Sequence, residues 1–104
     1  MIVRIVRLHI DEARSAAFDA LFWQHRDAIA SQPGCFGVEL MSVKDQPGVR
    51  ATLSRWESVD ALNAYRASKV FGEVWPATKA LFADAPEVWT YELEKGGDGA
   101  IFGP

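Results

Sequence analysis

CFGVELMSVKDQPGVRATLSRW, residues 35–56, is typical of a β-hairpin. It contains two runs rich in β-branched and other apolar residues, at 35–43 and 49–56, which is the composition of β-strands. Between them stands KDQPG, whose Pro47–Gly48 pair predicts the turn. The fold class then depends on what flanks this hairpin on each side.

A strand and a helix precede the hairpin. Residues 2–10, IVRIVRLHI, are β-branched and roughly alternating, which predicts a strand. Over residues 12–31 the apolar side chains change to helical spacing, which predicts a helix with one apolar face. Pro33 and Gly34 follow as stop signals.

Helices and a strand also follow the hairpin. Ser58 and Ser68 predict the N-caps of two successive helices, and residues 87–94 predict a last strand. The order β-α-β-β-α-β predicts an α+β, ferredoxin-like fold, in which an antiparallel sheet carries its helices on one face. We expect residues 1–94 to form a single domain and residues 95–104 to form a flexible, glycine-rich tail.

Two strands of this sheet are apolar on both faces. The opposing sets are Val3 and Ile5 against Val6 and Leu8, and Phe36, Val38 and Leu40 against Met41 and Val43. A sheet that is apolar on both faces needs a cover on both, and the helices cover only one. We therefore predict a homodimer that packs through the other sheet face.

Composition narrows the function classes. With 24% charged residues and a net charge of −3, the chain gives no electrostatic reason to expect nucleic acid or an anionic membrane as a partner. It contains no apolar run near the ~20 residues of a membrane span. The single cysteine, Cys35, suits a reducing compartment, and we expect a cytoplasmic protein. Six phenylalanines, four tryptophans and two tyrosines indicate a partner surface or a ligand cavity.

Several short motifs resemble those of the antibiotic biosynthesis monooxygenase (ABM) domain family. They are PGC before the second strand, RWES leading into ALNAYRAS, and VF…VW…ALF…P before the last strand. The resemblance covers about residues 2–94. It implies a dimeric α/β barrel with a pocket between helices and sheet in each subunit. Relatives include cofactor-free monooxygenases that act on phenolic or quinol substrates, and haem-degrading enzymes.

The resemblance also bears on haem and metal. Trp75 stands where haem-degrading relatives carry the histidine that ligates iron, and Val6 stands near their asparagine. Neither side chain can take over those roles, so haem is not expected. His9, His25 and Cys35 do not form a recognisable metal-ligand spacing, and we predict neither a metal nor a cofactor.

Two histidines are candidates for a general base. His25 lies in the middle of the apolar stripe of its helix, where it is either a hydrogen-bonded core histidine or a base at a pocket wall. His9 ends the first strand, where it is either a solvated rim residue or the base. An imidazole suits proton removal at neutral pH.

Five further residues are candidates for substrate contact. Tyr65 and Trp75 are expected to donate hydrogen bonds, and Trp56 and Phe71 to stack on an aromatic substrate. Arg4 would neutralise a substrate anion if it faces the pocket, and would otherwise make a charged surface contact.

The Trp75–Pro76 pair allows two interpretations. A kink at Gly72 and Pro76 would turn the indole of Trp75 towards a cavity. Alternatively, Pro76 begins a new helix at the first helical position, which proline favours.

Two functions remain open at this point. The first is cofactor-free monooxygenation of a small phenolic or quinol-type substrate by O2. The second is a non-catalytic, dimeric module for small-ligand binding or stress response, and haem binding is a weaker third. A base inside the pocket would distinguish the first function from the second.

Overall fold

The predicted order of helices and strands is confirmed by a computed structural model, which describes residues 1–94. The predicted tail at 95–104 lies outside the described residues. The elements are β1 (Ile2–His9), α1 (Ser15–Ala30, after a 3-10 turn at Glu12–Arg14), β2 (Cys35–Val43), β3 (Gln46–Trp56), α2 (Val59–Arg66), α3 (Lys69–Lys79) and β4 (Glu87–Glu92). The strands form one antiparallel sheet in the order β2-β3-β1-β4, the ferredoxin-like arrangement.

Both predicted N-caps are present in the second crossover. The hydroxyl of Ser58 accepts a hydrogen bond from the amide of Ala61 at 3.1 Å. The hydroxyl of Ser68 accepts one from the amide of Phe71 at 3.2 Å. Each cap satisfies a backbone donor that the first turn of a helix leaves free, which is why α2 and α3 begin where they do.

The hairpin turn lies earlier than the Pro47–Gly48 pair predicts. The turn residues are Lys44–Asp45, with Asp45 in the left-handed region at φ 64, and β3 already begins at Gln46. The Pro47–Gly48 segment is held in the sheet because the carbonyl of Gly48 accepts a 2.7 Å hydrogen bond from Ile10. A Cβ at Gly48 would lie 2.6 Å from the carbonyl oxygen of Ile10, so this glycine serves a close backbone approach.

The hydrophobic core lies between the helices and one face of the sheet. Alternation along β1 places Val6 and Leu8 on this face, and Trp56 at the end of β3 is fully buried there. The buried core residues are Ile2, Val6, Leu8, Ile10, Phe18, Phe22, Ile29, Val38, Trp56, Leu62 and Tyr65.

The opposite face of the sheet, here called the open face, carries no helix of residues 1–94. Strand register places on it Val3, Ile5, Arg7, Ala51, Leu53, Arg55, Trp89 and Tyr91. Trp89 and Tyr91 are among the exposed large side chains, and Ile5 and Leu53 are partly buried. The two-faced apolar pattern predicted for β1 is therefore present.

Phe36 departs from the predicted alternation of β2. A β-bulge between Cys35 and Gly37 inserts Phe36 as an extra residue opposite β3. Phe36 is consequently exposed, whereas Val38 is buried in the core. Simple alternation predicts that Phe36 and Val38 share one buried face, and the bulge prevents this.

Candidate functional site

A cavity of about 80 Å3 lies between the helices and the core face of the sheet. We call it the aromatic cavity, because six of its lining residues are aromatic: Phe18, Phe22, Trp56, Tyr65, Phe71 and Trp75. Its polar lining residues are Arg4, Thr52, Ser54 and Thr78. All five side chains predicted from the sequence to contact or hydrogen-bond a substrate therefore line this cavity.

Strand alternation explains how the polar residues reach the cavity. Residues 4, 6 and 8 of β1 face the helices, so Arg4 shares a face with two core residues. In the sheet Arg4 pairs with Ser54, and Val6 pairs with Thr52. The cavity floor is therefore an apolar strand surface with one guanidinium beside two hydroxyls.

Arg4 is a buried cation without a protein counter-ion among residues 1–94. It is 9% exposed, and no carboxylate or hydrogen-bond acceptor of the described chain is paired with it. Burial lowers its pKa, the charge of Arg66 lowers it further, and Tyr65 acts in the opposite direction. A guanidinium remains charged even so, and burying an unpaired charge is unfavourable. An anion in the cavity would relieve that cost.

Tyr65 forms the aromatic wall beside Arg4. It is 8% exposed, stacks on Trp56 at a centroid distance of 5.0 Å, and meets Phe71 edge-on at 5.3 Å. Burial raises the pKa of Tyr65 to about 12. Its hydroxyl is consequently protonated at neutral pH, where it can donate a hydrogen bond but does not act as a base.

Ser54 orients the indole of Trp56. The Trp56 Nε1–H donates to Ser54 Oγ at 2.9 Å, so the serine hydroxyl keeps its own hydrogen for another acceptor. Thr78 differs, because its hydroxyl donates to the Val74 carbonyl of the same helix at 2.8 Å. Sequence reasoning did not identify Thr52, Ser54 or Thr78. For Ser54 and Thr52 a signal exists, since they lie two and four residues before Trp56 on one strand.

Trp75 lines the cavity from α3, which runs unbroken through Pro76. The alternative in which Pro76 begins a new helix is therefore wrong. Trp75 is partly exposed, stacks on Phe71 at 5.7 Å with an interplanar angle of 11°, and meets Phe82 edge-on at 5.7 Å. Pro76 is exposed, whereas Trp75 lines the cavity, and a kink of α3 at Gly72 and Pro76 stays a prediction.

The structure places both candidate bases outside the aromatic cavity. His25 is partly exposed, and its Nδ1 lies 3.0 Å from the carbonyl oxygen of Leu21, one turn earlier. The stripe of α1 is buried through Phe18, Phe22 and Ile29 instead. His9 sits at the rim, with Nε2 2.8 Å from Glu87 Oε1. Neither histidine is among the residues that line the cavity, and the described walls contain no histidine, carboxylate or lysine.

Cys35 also lies outside the cavity lining. Burial raises the pKa of its thiol, and its sulfur lies 3.8 Å from the carbonyl of Gly37. Within residues 1–94, no three histidine, cysteine or acidic side chains are grouped so as to hold a metal ion. Over the same residues, no helix has the length and apolar character needed to cross a membrane.

The sequence matches the model of one protein family, and the fold is similar to many solved structures. The model of the antibiotic biosynthesis monooxygenase family matches residues 1–75. No curated protein matches the sequence. Among solved structures, a candidate antibiotic biosynthesis monooxygenase from Caulobacter crescentus has a TM-score of 0.84 and 25% identity, covering 90% of each chain.

Two further structures extend the comparison. A candidate antibiotic biosynthesis monooxygenase from Bordetella bronchiseptica has a TM-score of 0.80 and 28% identity, covering 89% of this chain and 96% of its own. SnoaB from Streptomyces nogalater, a cofactor-independent oxygenase solved as an N63A mutant, has a TM-score of 0.81 and 21% identity. The match covers 93% of this chain and 96% of SnoaB.

Proposed function

We propose, since the chain belongs to the antibiotic biosynthesis monooxygenase family, that it oxygenates a small phenolic or quinol-type substrate without a cofactor. The observation that carries this proposal is the buried guanidinium of Arg4, which has no partner within residues 1–94 and lies in a cavity lined with aromatic side chains. The cofactor-independent activity of SnoaB, which shares the fold, is consistent with it.

The proposed reaction draws all of its electrons from the substrate. The substrate anion gives one electron to O2, and the resulting radical and superoxide combine into a carbon-bound peroxide anion, which takes a proton from water to become a hydroperoxide. Loss of water then breaks the O–O bond, and the departing oxygen takes two hydrogens of the substrate with it. One oxygen atom stays on the ring, so no external reductant is required.

Arg4 has the central role in forming the substrate anion. Because the described cavity walls hold no side-chain base, the phenolic proton passes to water, and the nearby positive charge lowers the pKa of the bound phenol. Tyr65 and Ser54 donate hydrogen bonds to the oxyanion. In this mechanism electrostatic stabilisation of the substrate anion takes the place of a general base, the role for which His25 and His9 were candidates.

The cavity volume allows only partial enclosure of a single ring. An apolar cavity of roughly 150 Å3 takes up benzene, and this one has about 80 Å3, so part of a bound ring lies outside it. Phe71, Val74 and Trp75 are only partly buried, so a ring can extend towards solvent on the α3 side.

The open face supports a homodimer, the partner arrangement that we propose. Trp89 and Tyr91 expose large aromatic surfaces on it. The Nε atoms of Arg7 and Arg55 are buried there, with no hydrogen-bond partner among residues 1–94. A second copy packed on this face would cover the aromatics and bring acceptors to the two Nε atoms.

A non-catalytic module that binds a small aromatic ligand is the second candidate. The observation that favours it is the lack of a side-chain base in the described cavity walls. This module would use Arg4 and the aromatic residues for binding alone.

Oxygen uptake distinguishes the two candidates. Anaerobic protein is mixed with one-ring hydroquinones, and O2 consumption is followed after air is admitted. We expect uptake above autoxidation in the wild type and a loss of about 100-fold or more in Arg4→Met, because a charge-assisted contact to the developing anion is removed. The exposed neighbour Arg66→Met is the matched control, and it should retain most of the activity.

Two outcomes would contradict this account. Uptake equal to autoxidation across the panel would favour the binding module. Loss of uptake in folded His25→Ala or His9→Ala would restore a histidine base and remove the central role of Arg4.

A further inference from the structure

The side chains of Arg4, Ser54 and Tyr65 line the aromatic cavity, and none of the three donates a hydrogen bond to another group of residues 1–94. Arg4 and Tyr65 are both more than nine-tenths buried, and neither is paired through its polar end within residues 1–94. Ser54 accepts from the indole of Trp56 and keeps its own hydrogen to donate. A guanidinium beside two hydroxyls that can each donate a hydrogen bond is complementary to an anionic oxygen ligand.

We propose that the ligand of this cavity is a one-ring aromatic carboxylic acid, whose carboxylate pairs with Arg4 and whose ring packs against Tyr65, Phe71 and Trp75. The proposal rests on the proposed function in that it names the substrate class of the same site. The oxidisable substrate would then be a hydroxylated member of this class.

A carboxylate suits Arg4 better than a phenol does. A guanidinium presents parallel N–H groups that match the two oxygens of a carboxylate, and the pair is planar and bidentate. An aromatic acid is fully charged at neutral pH, whereas a simple phenol, with a pKa of about 10, arrives neutral. Only the acid therefore brings a permanent counter-ion to a guanidinium that has none within residues 1–94.

The aromatic wall accounts for the rest of the ligand. Stacked and edge-on contacts join Trp56, Tyr65, Phe71 and Trp75 into one continuous surface along the cavity. Aromatic rings favour such offset and edge-on neighbours. The volume of about 80 Å3 encloses part of one ring, and a fused ring system would lie largely outside the cavity.

Equilibrium binding of benzoate tests the proposal without any turnover, because benzoate is not a phenol or a quinol. Benzamide has the same shape and no charge. Both are titrated into the full-length protein at neutral pH, with quenching of tryptophan fluorescence and calorimetry as readouts. We expect benzoate to bind at least about tenfold more tightly than benzamide, as a charge-assisted contact implies.

Variants assign the effect to Arg4. Arg4→Met should weaken benzoate by about tenfold or more and leave benzamide within about threefold, because the side-chain length is kept and the charge is lost. Arg4→Lys should give an intermediate loss of benzoate affinity, since it keeps the charge but lacks the parallel N–H groups of a guanidinium. Arg66→Met removes a nearby exposed charge outside the cavity, and it should change benzoate binding by less than about threefold.

Three results would overturn the proposal: equal affinities for benzoate and benzamide, no binding of benzoate, or unchanged benzoate binding in Arg4→Met. The comparison of the two ligands uses wild-type protein alone, so it decides the matter even if a variant does not fold. Oxygen uptake with 2,5-dihydroxybenzoate reports separately on the proposed function. Tight benzoate binding without such uptake would support the acid ligand while contradicting oxygenation.

Discussion

At the scale of single residues, the buried hydroxyl of Tyr65 predicts how stability changes at alkaline pH. Burial raises the pKa of Tyr65 from 10.0 to about 12. Between these two values the folded chain retains a proton that the unfolded chain has released. The stabilisation is therefore fully present below about pH 10 and is lost as pH rises towards 12, by on the order of 2 kcal/mol.

Tyr65→Phe isolates this contribution, because it keeps the ring and removes the ionisation. The free energy of unfolding is measured in urea at about pH 9 and about pH 11.5 for both proteins. We expect the wild type to lose more stability than Tyr65→Phe between the two values. Parallel losses would show that the hydroxyl of Tyr65 is not desolvated.

The residue scale also shows what the sequence could and could not predict about the site. Alternation along β1 already groups Arg4 with Val6 and Leu8, so its orientation towards the helices was predictable. The lack of a counter-ion for Arg4 within residues 1–94 was not predictable, because it depends on which side chains from distant segments meet there. For His25 the sequence left open a hydrogen-bonded histidine or a base, because a helical wheel cannot show that its ring contacts the Leu21 carbonyl.

At the scale of elements, α3 contains a proline whose removal should strengthen the helix. Pro76 cannot donate to the carbonyl of Gly72, so one helical hydrogen bond is missing. We expect Pro76→Ala to raise the free energy of unfolding by about 1–3 kcal/mol, measured by urea titration. If the proline sets the direction of Trp75, benzoate affinity should also change.

Gly72→Ala is the matched control for this prediction. A Cβ at Gly72 would meet nothing within 4 Å, so the variant should stabilise α3 by about 1 kcal/mol through helix propensity alone. It leaves the missing hydrogen bond as it is and should not alter ligand affinity. Equal changes of affinity in the two variants would show that Pro76 has no specific effect on Trp75.

Element boundaries illustrate where local sequence signals compete. Pro47–Gly48 is the stronger turn signal, yet Lys44–Asp45 forms the turn because Gly48 is hydrogen-bonded to Ile10. That contact joins residues far apart in sequence, so no local pattern contains it. The caps at Ser58 and Ser68 are local interactions, and both were predicted.

At the scale of the whole molecule, the open face predicts the state of assembly. We expect light scattering to give twice the 11.5 kDa mass of one chain. Leu53→Asp puts a charge in the middle of the open face and should shift the protein towards monomer, because an unpaired buried charge opposes association.

Val59→Asp is the matched control, since Val59 is an exposed apolar residue on α2, outside the sheet. It should leave the mass unchanged. A monomeric wild type at every concentration tested would contradict the dimer. The two-faced pattern of β1 made the open face predictable from sequence, whereas the buried Nε atoms of Arg7 and Arg55 became evident only in three dimensions.

Isotope labelling with 18O2 tests the central claim, cofactor-free monooxygenation in the Arg4 cavity, most directly. Metal-free protein is supplied with an oxidisable one-ring substrate such as 2,5-dihydroxybenzoate, and the product is analysed by mass spectrometry together with an assay for hydrogen peroxide. We predict one 18O atom in each product molecule, no stoichiometric peroxide, and loss of the labelled product in Arg4→Met. A product without label, or peroxide formed in proportion to the O2 consumed, would contradict the account.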